Sequence, residues 1–345
     1  MVNKQLKIAV LGGGSFGTVI ANICAEKVAD VRQWMRSSES AQEINTRHKN
    51  SRYLPGHRLS SNIVAYTDLE AALKGIDVLF VSIPSAHFRD VLKMAAPFVS
   101  ENINVISTTK GVESTTFYMM SQIISQELPQ AKVGVLSGPN FAKEIAQKHL
   151  TATVIASSDG ELRNQVQDLL HQAYFRIYAS DDIYGVELGG VLKNIYAIAS
   201  GLGAAMGMGE NTRSMLMTRA LAEMSRFAVS MGANPMTFLG LAGVGDLVAT
   251  CMSPLSRNYR VGYHLGKGKN LTEAVESLGQ VAEGVNTVRL VHNKSKELGV
   301  YMPLVEGLYQ VIYHDAAPSE IANTMMLSEQ GSDVEFVLAT NGTKF

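Results

Sequence analysis

Lys193 lies in the stretch YGVELGGVLKNIYAIASGLGAAM, which is apolar nearly all the way round a helix. Such a pattern implies burial on most faces. The residues three and four positions away are Gly189, Gly190, Tyr196 and Ala197, so no carboxylate on the same helix can balance the charge. A buried ammonium without a partner is costly, so its counter-ion comes from elsewhere or its pKa falls. Both situations are common in active sites. The competing reading is a lysine whose stem is covered and whose head reaches the surface. Asn194 adds a second polar group to the same apolar setting.

Three other charged positions invite chemistry. Asp246 is the only charge in FLGLAGVGDLVATC, although an aspartate just before LVAT could equally cap a helix. Further on, in SPLSRNYR, Ser256 can cap a helix led by Arg257 and Asn258. A helix start with an arginine beside it suits a phosphate monoester, and the alternative is a solvated helix end. Lys110 follows the apolar run INVIST in STTKGVE, where the ligand-facing loops of open α/β sheets lie.

The loop LGGGSFG at 11–17 supplies a different kind of site. Gly12, Gly14 and Gly17 fit G-x-G-x-x-G between the run LKIAV and a helical run, TVIANICAEK. In that context Gly12 allows a tight turn, Gly14 lets the backbone approach a pyrophosphate, and Gly17 lets the helix pack closely on the strand. A glycine-rich turn that binds nothing is the alternative. About 20 residues on, an NAD-selective site usually shows an acid at the end of the second strand. Here the sequence is VRQWMRSSE, with Arg36 in that region and no carboxylate at the strand end. An arginine can pair with a 2′-phosphate and stack on adenine, so NADP(H) is the expected cofactor, with NAD(H) also accepted.

The elements that must hold these residues follow from the hydrophobic pattern. Strand-like runs occupy 6–11, 31–35, 62–66, 77–83, 103–108, 132–137, 152–157 and, more weakly, 175–180. Several are apolar without alternation, as strands covered on both faces should be. Their alternation with helical patterns predicts a parallel, doubly wound sheet of the α/β class. From Tyr184 onward the patterns are long and helical, so the expected division is 1–183, a Rossmann-type NAD(P)-binding domain, and 184–345, an all-α substrate-binding and catalytic domain.

Composition narrows the function classes. The 345 residues are 46% hydrophobic and 18% charged, with a formal net charge of −1. That balance gives no global attraction to nucleic acid or to an anionic membrane. Any anionic ligand must be held by a few local cations. Cys24 and Cys251 suggest no disulfide framework. The eight histidines are scattered without an HExxH pair, so no metal site is expected. Lys4 and Lys7 precede an uncharged stretch that resembles a secretory signal, but glycines interrupt its apolar core. A cytoplasmic protein without an integral membrane segment is expected.

The chain resembles the bacterial soluble NAD(P)-dependent glycerol-3-phosphate dehydrogenases. The matching stretches are GGGSFG (12–17), STTKGVE (107–113), LSGPNFAKE (136–144), ELGGVLKNIYAIASG (187–201), GENTRSMLMTRALAEM (209–224), GLAGVGDLVATCMSPLSRNYRVG (240–262) and VAEGVNT (281–287). The resemblance implies a Rossmann domain joined to a helical domain like that of 6-phosphogluconate dehydrogenase, usually as a homodimer. The implied reaction reduces dihydroxyacetone phosphate to sn-glycerol 3-phosphate, and its reverse, in supply of glycerophospholipids. It casts Lys193 as the general acid/base, with Asp246 and Thr250 positioning it. Lys110, Gly138, Asn140, Asn194, Ser256, Arg257 and Asn258 become substrate contacts. Ser15, Phe16, Arg36, Ala142, Val281 and Glu283 become cofactor contacts, joined by Lys110 and Arg257. Three positions depart from the family pattern. Asn140 stands where Ser or Thr is more common, Ala220 replaces a common Gly, and Ser328 stands where many relatives have Arg. Rival readings are another two-domain hydroxy-acid dehydrogenase and an NAD(P)H-sensing protein without turnover.

Overall fold

The computed structural model describes residues 6–278 and 283–327. The chain divides into two compact units, Met1–Glu187 and Leu188–Phe345.

In the first unit, eight strands form one sheet: β1 (Lys7–Leu11), β2 (Asp30–Trp34), β3 (Ile63–Tyr66), β4 (Val78–Val81), β5 (Asn104–Ser107), β6 (Lys132–Ser137), β7 (Thr151–Ala156) and β8 (Phe175–Ser180). All eight sequence-predicted strands are present, and their order is β3-β2-β1-β4-β5-β6-β7-β8. The first six run parallel. The helices between them are α1 (Ser15–Ala25), α2 (Ser38–Arg47), α3 (Leu69–Leu73), α4 (Ser85–Ala95), α5 (Met120–Glu127), α6 (Ala142–Ala146) and α7 (Gly160–Leu170).

Strand side chains alternate between the two faces, and on the inner strands both faces are dry, whereas the outermost strands β3 and β8 keep exposed positions such as Val64 and Tyr178. Ile8 and Val10 enter a core closed by α1, α2 and α7, whereas Ala9 and Leu11 enter one closed by α3, α4 and α5. This is why several strands read as continuous apolar runs. One expectation is corrected: the sheet is mixed, because β7 runs antiparallel to β6, with β8 parallel to β7. A parallel return needs a crossover helix. Here the connection carries only the five residues of α6, which pack on α1.

The second unit continues α8 (Ile183–Ala205), which spans the division, and adds α9 (Glu210–Ser230), α10 (Asp246–Met252), α11 (Arg257–Gly266), α12 (Leu271–Glu276), α13 (Glu283–Leu298), α14 (Pro303–Tyr313) and α15 (Pro318–Met326). A 3-10 turn at Pro235–Leu239 and a π turn at Leu241–Gly245 lead into α10. Glycines let two other backbones close on α8. A Cβ on Gly189 would lie 2.3 Å from the Ala242 carbonyl oxygen, and one on Gly262 would lie 1.8 Å from that of Ile198. The π turn and α11 therefore touch α8 directly, and residues from Val186 to Ile198 are buried. Of the methionines from Met206 to Met224, read from sequence as core or pocket filler, Met224 is buried while Met206 and Met215 are exposed.

Glu223 of α9 is buried and accepts hydrogen bonds from the backbone N–H groups of Leu304 (2.6 Å) and Val305 (3.4 Å) and from the Tyr196 hydroxyl (3.2 Å). It therefore satisfies the start of α14, whose own N-cap residue, Met302, supplies no side-chain bond. Burial nevertheless pushes its carboxyl up to about 7. Glu187, which accepts from the Ser121 N–H at 2.9 Å at the start of α5, is likewise pushed up to about 7 by burial. Both folded-state values exceed the ordinary 4.5. The unfolded chain thus releases these protons first as pH rises, and the stability they favour is full below about 4.5 and lost as pH rises toward 7. We predict that denaturant unfolding of the parent loses several kcal/mol across that window, on the order of 3 kcal/mol for each carboxyl. Glu223→Gln, which keeps an acceptor for Leu304, should lose distinctly less; an equally steep fall in the variant would contradict the assignment.

Candidate active site

Loops that follow the C-terminal ends of parallel strands are where open α/β sheets bind ligands, above all where the strand order reverses. In this sheet that reversal falls between β1 and β4, and the glycine loop leaves β1 there. Gly12 has φ +125°, and a Cβ on it would lie 2.3 Å from the Ser82 carbonyl oxygen. A Cβ on Gly17 would lie 2.4 Å from the Gly12 carbonyl oxygen. The fold itself therefore demands glycine at both. Gly14 is different. It is the N-cap of α1 with φ −74° and ψ 177°, and a Cβ there would meet nothing within 4 Å. Nothing inside the unit requires a glycine at this point, whereas a ligand lying against the backbone would. The first intrahelical bond of α1 runs from Thr18 N–H to Gly14 O at 2.9 Å. The N–H groups of Ser15, Phe16 and Gly17 thus precede it, as at an anion-binding helix start. The loop fits a dinucleotide pyrophosphate.

Other sequence-predicted residues surround this loop or lie further along the same strand ends. Phe16 and Ala142 pack against the same core. The Ser15 hydroxyl donates to the Tyr53 carbonyl oxygen at 2.6 Å. Arg36 is exposed just past β2, next to Ser37, whose side chain caps α2 by accepting from Ser40 N–H. After β5, the Lys110 ammonium donates to the Gly138 carbonyl oxygen at 2.7 Å. Asn140 donates to Thr153 Oγ1 at 2.8 Å, and Thr153 donates to the Ser137 carbonyl at 2.9 Å. The structure thus brings Lys110, Gly138 and Asn140 together. The loop after Lys110 is held by Arg89 of α4, which grips both oxygens of Glu113 (2.6 and 2.9 Å) and also bonds Glu127. This pairing draws the Glu113 carboxyl below the ordinary range.

In the second unit the partner that Lys193 lacks on its own helix is Asp246. The ammonium lies 2.5 Å from Asp246 Oδ1 and 2.8 Å from Thr250 Oγ1, and Thr250 also donates to Asp246 Oδ1 at 3.3 Å. The Lys193 and Asp246 side chains are 8% and 1% exposed. The lysine is therefore not snorkelling. Asp246 is not the helix cap that its sequence context also allowed, since Gly245 is the N-cap of α10 and the carboxylate turns to the amine. Cys251, on the same helix, is buried and its thiol is pushed far up by desolvation. It stays protonated, and the ionic chemistry here belongs to the amine.

Next to this pair, Asn258 donates to Asn194 Oδ1 at 2.9 Å and accepts from the Gly284 N–H at 3.1 Å. The two asparagines, expected from sequence to meet substrate, thus fix each other and the start of α13. Ser256 is the N-cap of α11, accepting from Tyr259 N–H at 3.2 Å, and Arg257 begins that helix exposed. Glu283 opens α13. Val281 and Ser328 lie outside the described residues. Among the described residues no group of three His, Cys, Asp or Glu side chains could hold a metal ion. Thr153 and Glu223 were missed by sequence reasoning; a threonine in a strand and a glutamate in a helix carry no distinguishing local signal.

A Rossmann unit followed by a helical unit that buries a lysine–aspartate pair is the layout of an NAD(P)-dependent oxidoreductase. Comparison narrows the class. The family profile of the NAD-dependent glycerol-3-phosphate dehydrogenase N-terminus matches residues 7–163, and that of the C-terminus matches 182–323. Glycerol-3-phosphate dehydrogenase [NAD(P)+] of Acinetobacter baumannii is 57% identical over 333 residues, covering 96% of this chain and 93% of that protein. The Pseudomonas aeruginosa protein of the same name is 54% identical over 339 residues, covering 98% and 99%. The crystal structure of glycerol-3-phosphate dehydrogenase from Coxiella burnetii superposes with a TM-score of 0.90 at 34% identity, covering 94% of this chain and 100% of that one. The chain belongs to the NAD-dependent glycerol-3-phosphate dehydrogenase family.

Removing one member of a buried ion pair strands the other and costs about 3–5 kcal/mol, whereas an apolar replacement of both is often neutral. Asp246→Leu alone should therefore lower unfolding free energy strongly. The double variant Lys193→Met/Asp246→Leu should recover most of the loss while remaining without activity. Equal stability of the single and double variants in denaturant titrations would contradict the pairing.

Proposed function

We propose that this chain reversibly reduces dihydroxyacetone phosphate to sn-glycerol 3-phosphate, with NADPH preferred over NADH, as a cytoplasmic homodimer with the first unit binding cofactor and the second binding substrate. The observation that carries the reading is the buried Lys193 ammonium, held at once by Asp246 and Thr250.

The substrate is small and dianionic, and its phosphate is the natural handle. Arg257 and Asn258, at the start of α11, bind it through charge-assisted bonds and the helix N-terminus. Lys110, Gly138 and Asn140 are further substrate contacts in this reading. The bound nicotinamide supplies the hydride that reduces the ketone carbon. Lys193 holds the proton at Nζ and passes it to the carbonyl oxygen as negative charge develops there. Asp246 and Thr250 aim the amine, and Asp246 favours its charged form before transfer. In the reverse direction the same amine accepts the hydroxyl proton. Gly12, Gly14, Ser15, Phe16 and Gly17 hold the pyrophosphate, with Ala142, Val281 and Glu283 as further cofactor contacts. Arg36 pairs with the 2′-phosphate.

Arg257→Ala is expected to lower kcat/KM for dihydroxyacetone phosphate far more than for dihydroxyacetone in NADPH-oxidation assays. An unchanged ratio between the two trioses would contradict the phosphate site. The parent should show a higher kcat/KM with NADPH than with NADH, and Arg36→Ala should shrink that difference through KM. A parent that prefers NADH would overturn the cofactor assignment.

A further inference from the structure

Beneath the glycine loop lie three polar side chains that take no part in the scheme above. Thr18 of α1, Gln33 of β2 and Asn50, in the turn after α2, are each 0% exposed. Gln33 Nε2 donates to the Gly12 carbonyl oxygen at 2.9 Å and to Thr18 Oγ1 at 3.1 Å. Asn50 Nδ2 donates to the Gly13 carbonyl oxygen at 2.9 Å and to Thr18 Oγ1 at 2.8 Å. The same turn also receives the Ser15 hydroxyl on the Tyr53 carbonyl.

A carbonyl oxygen can only accept, so both amide nitrogens must face the loop. That orientation leaves Gln33 Oε1 and Asn50 Oδ1 buried with no hydrogen-bond partner among the described residues. Buried acceptors left unmade are destabilising, so stability alone gives no reason to keep this arrangement. What it secures is direction. In a trans peptide the C=O of one residue and the N–H of the next point opposite ways. Drawing the Gly12 and Gly13 carbonyls inward turns the N–H groups of Gly13 and Gly14 outward. In the same loop a Cβ on Gly14 would meet nothing within 4 Å.

We infer that Thr18, Gln33 and Asn50 are positioning residues for the cofactor: by holding the Gly12 and Gly13 carbonyls inside the protein, they aim the loop's N–H groups at the dinucleotide pyrophosphate. The inference rests on the reading of the glycine loop given under Proposed function. It accounts for a buried amide at position 33 on β2, and for two orphaned acceptors under a ligand loop.

The test is calorimetric binding of NADPH and of adenosine 2′-phosphate, which lacks the pyrophosphate, to the full chain. Thr18→Val, nearly isosteric, and Asn50→Leu should each weaken NADPH binding at least tenfold. Both should leave adenosine 2′-phosphate within about twofold and raise the KM for NADPH without moving that for dihydroxyacetone phosphate. Thr18→Ser, which keeps the hydroxyl, should bind NADPH as the parent does. Should Asn50→Leu fail to fold, the Thr18→Val and Thr18→Ser pair decides the matter. Unchanged NADPH affinity in Thr18→Val, or a parallel fall for both ligands, overturns the proposal. Gly14→Val separates the two levels. If it binds NADPH normally, the cradle reading fails and this inference with it; if it binds poorly while Thr18→Val is unaffected, the inference alone fails.

Discussion

A lysine and an aspartate taken out of water together set the main constraint on the helical unit. Neither charge could be buried alone, since an isolated ion in a low-dielectric interior costs several kcal/mol after relaxation. Their contact at 2.5 Å spans 53 positions of sequence, so the chain must bring α8 and α10 together to better than an ångström. Gly189 does this by removing the side chain that would separate α8 from the Ala242 carbonyl. Gly262 plays the same part between α8 and α11, which sets Asn258 against Asn194. The apolar character of α8 on all sides is the consequence: with backbones this close, no face of the helix near Lys193 remains for solvent.

The first unit answers a different requirement. In the proposed reading its glycine loop presents backbone donors rather than a charge, and the sheet places that loop past the end of a parallel strand. The glycine loop, the Lys110 loop and the Gly138 turn all follow strand C-termini. Each is tied back to the scaffold: by Gln33 and Asn50, by Arg89 through Glu113, and by Thr153 through Asn140. Loops that carry binding groups but are fixed by buried or paired side chains give up little order on meeting a ligand, and that preorganisation favours both affinity and catalysis.

Much of this was legible in the sequence, and the part that was not has physical reasons. Several strands were marked by unbroken apolar, β-branched runs, because the inner part of the sheet is dry on both faces and leaves no room for polar alternation; the edge strand β8, FRIYAS, alternates buried and exposed positions and gave the weaker signal. The direction of β7 was not, since KVGVLS and ATVIAS read the same in either orientation and only the short α6 connection betrays the reversal. Lys193 stood out because a charge in an all-apolar helix has to be explained. Its partner came only through the family resemblance: read locally, Asp246 before LVAT also makes a good helix cap, and the fold shows which way the carboxylate turns. The roles of Asn194 and Asn258 as each other's partners were likewise hidden in tertiary distance. Glu223 and Thr153 carried no local signal at all. In short, burial could be read from composition and pattern, but pairing could not.

The central claim is that the Lys193 amine itself transfers the proton. Chemical rescue tests it most directly. Lys193→Ala leaves a cavity beside Asp246 and Thr250 that small primary amines can enter. Methylamine and its homologues, added in solution, are expected to restore dihydroxyacetone phosphate reduction, with a rescued rate that varies systematically with amine pKa once amine size is taken into account. Near-parental turnover by Lys193→Ala without any amine, or rescue that ignores amine pKa, would contradict it.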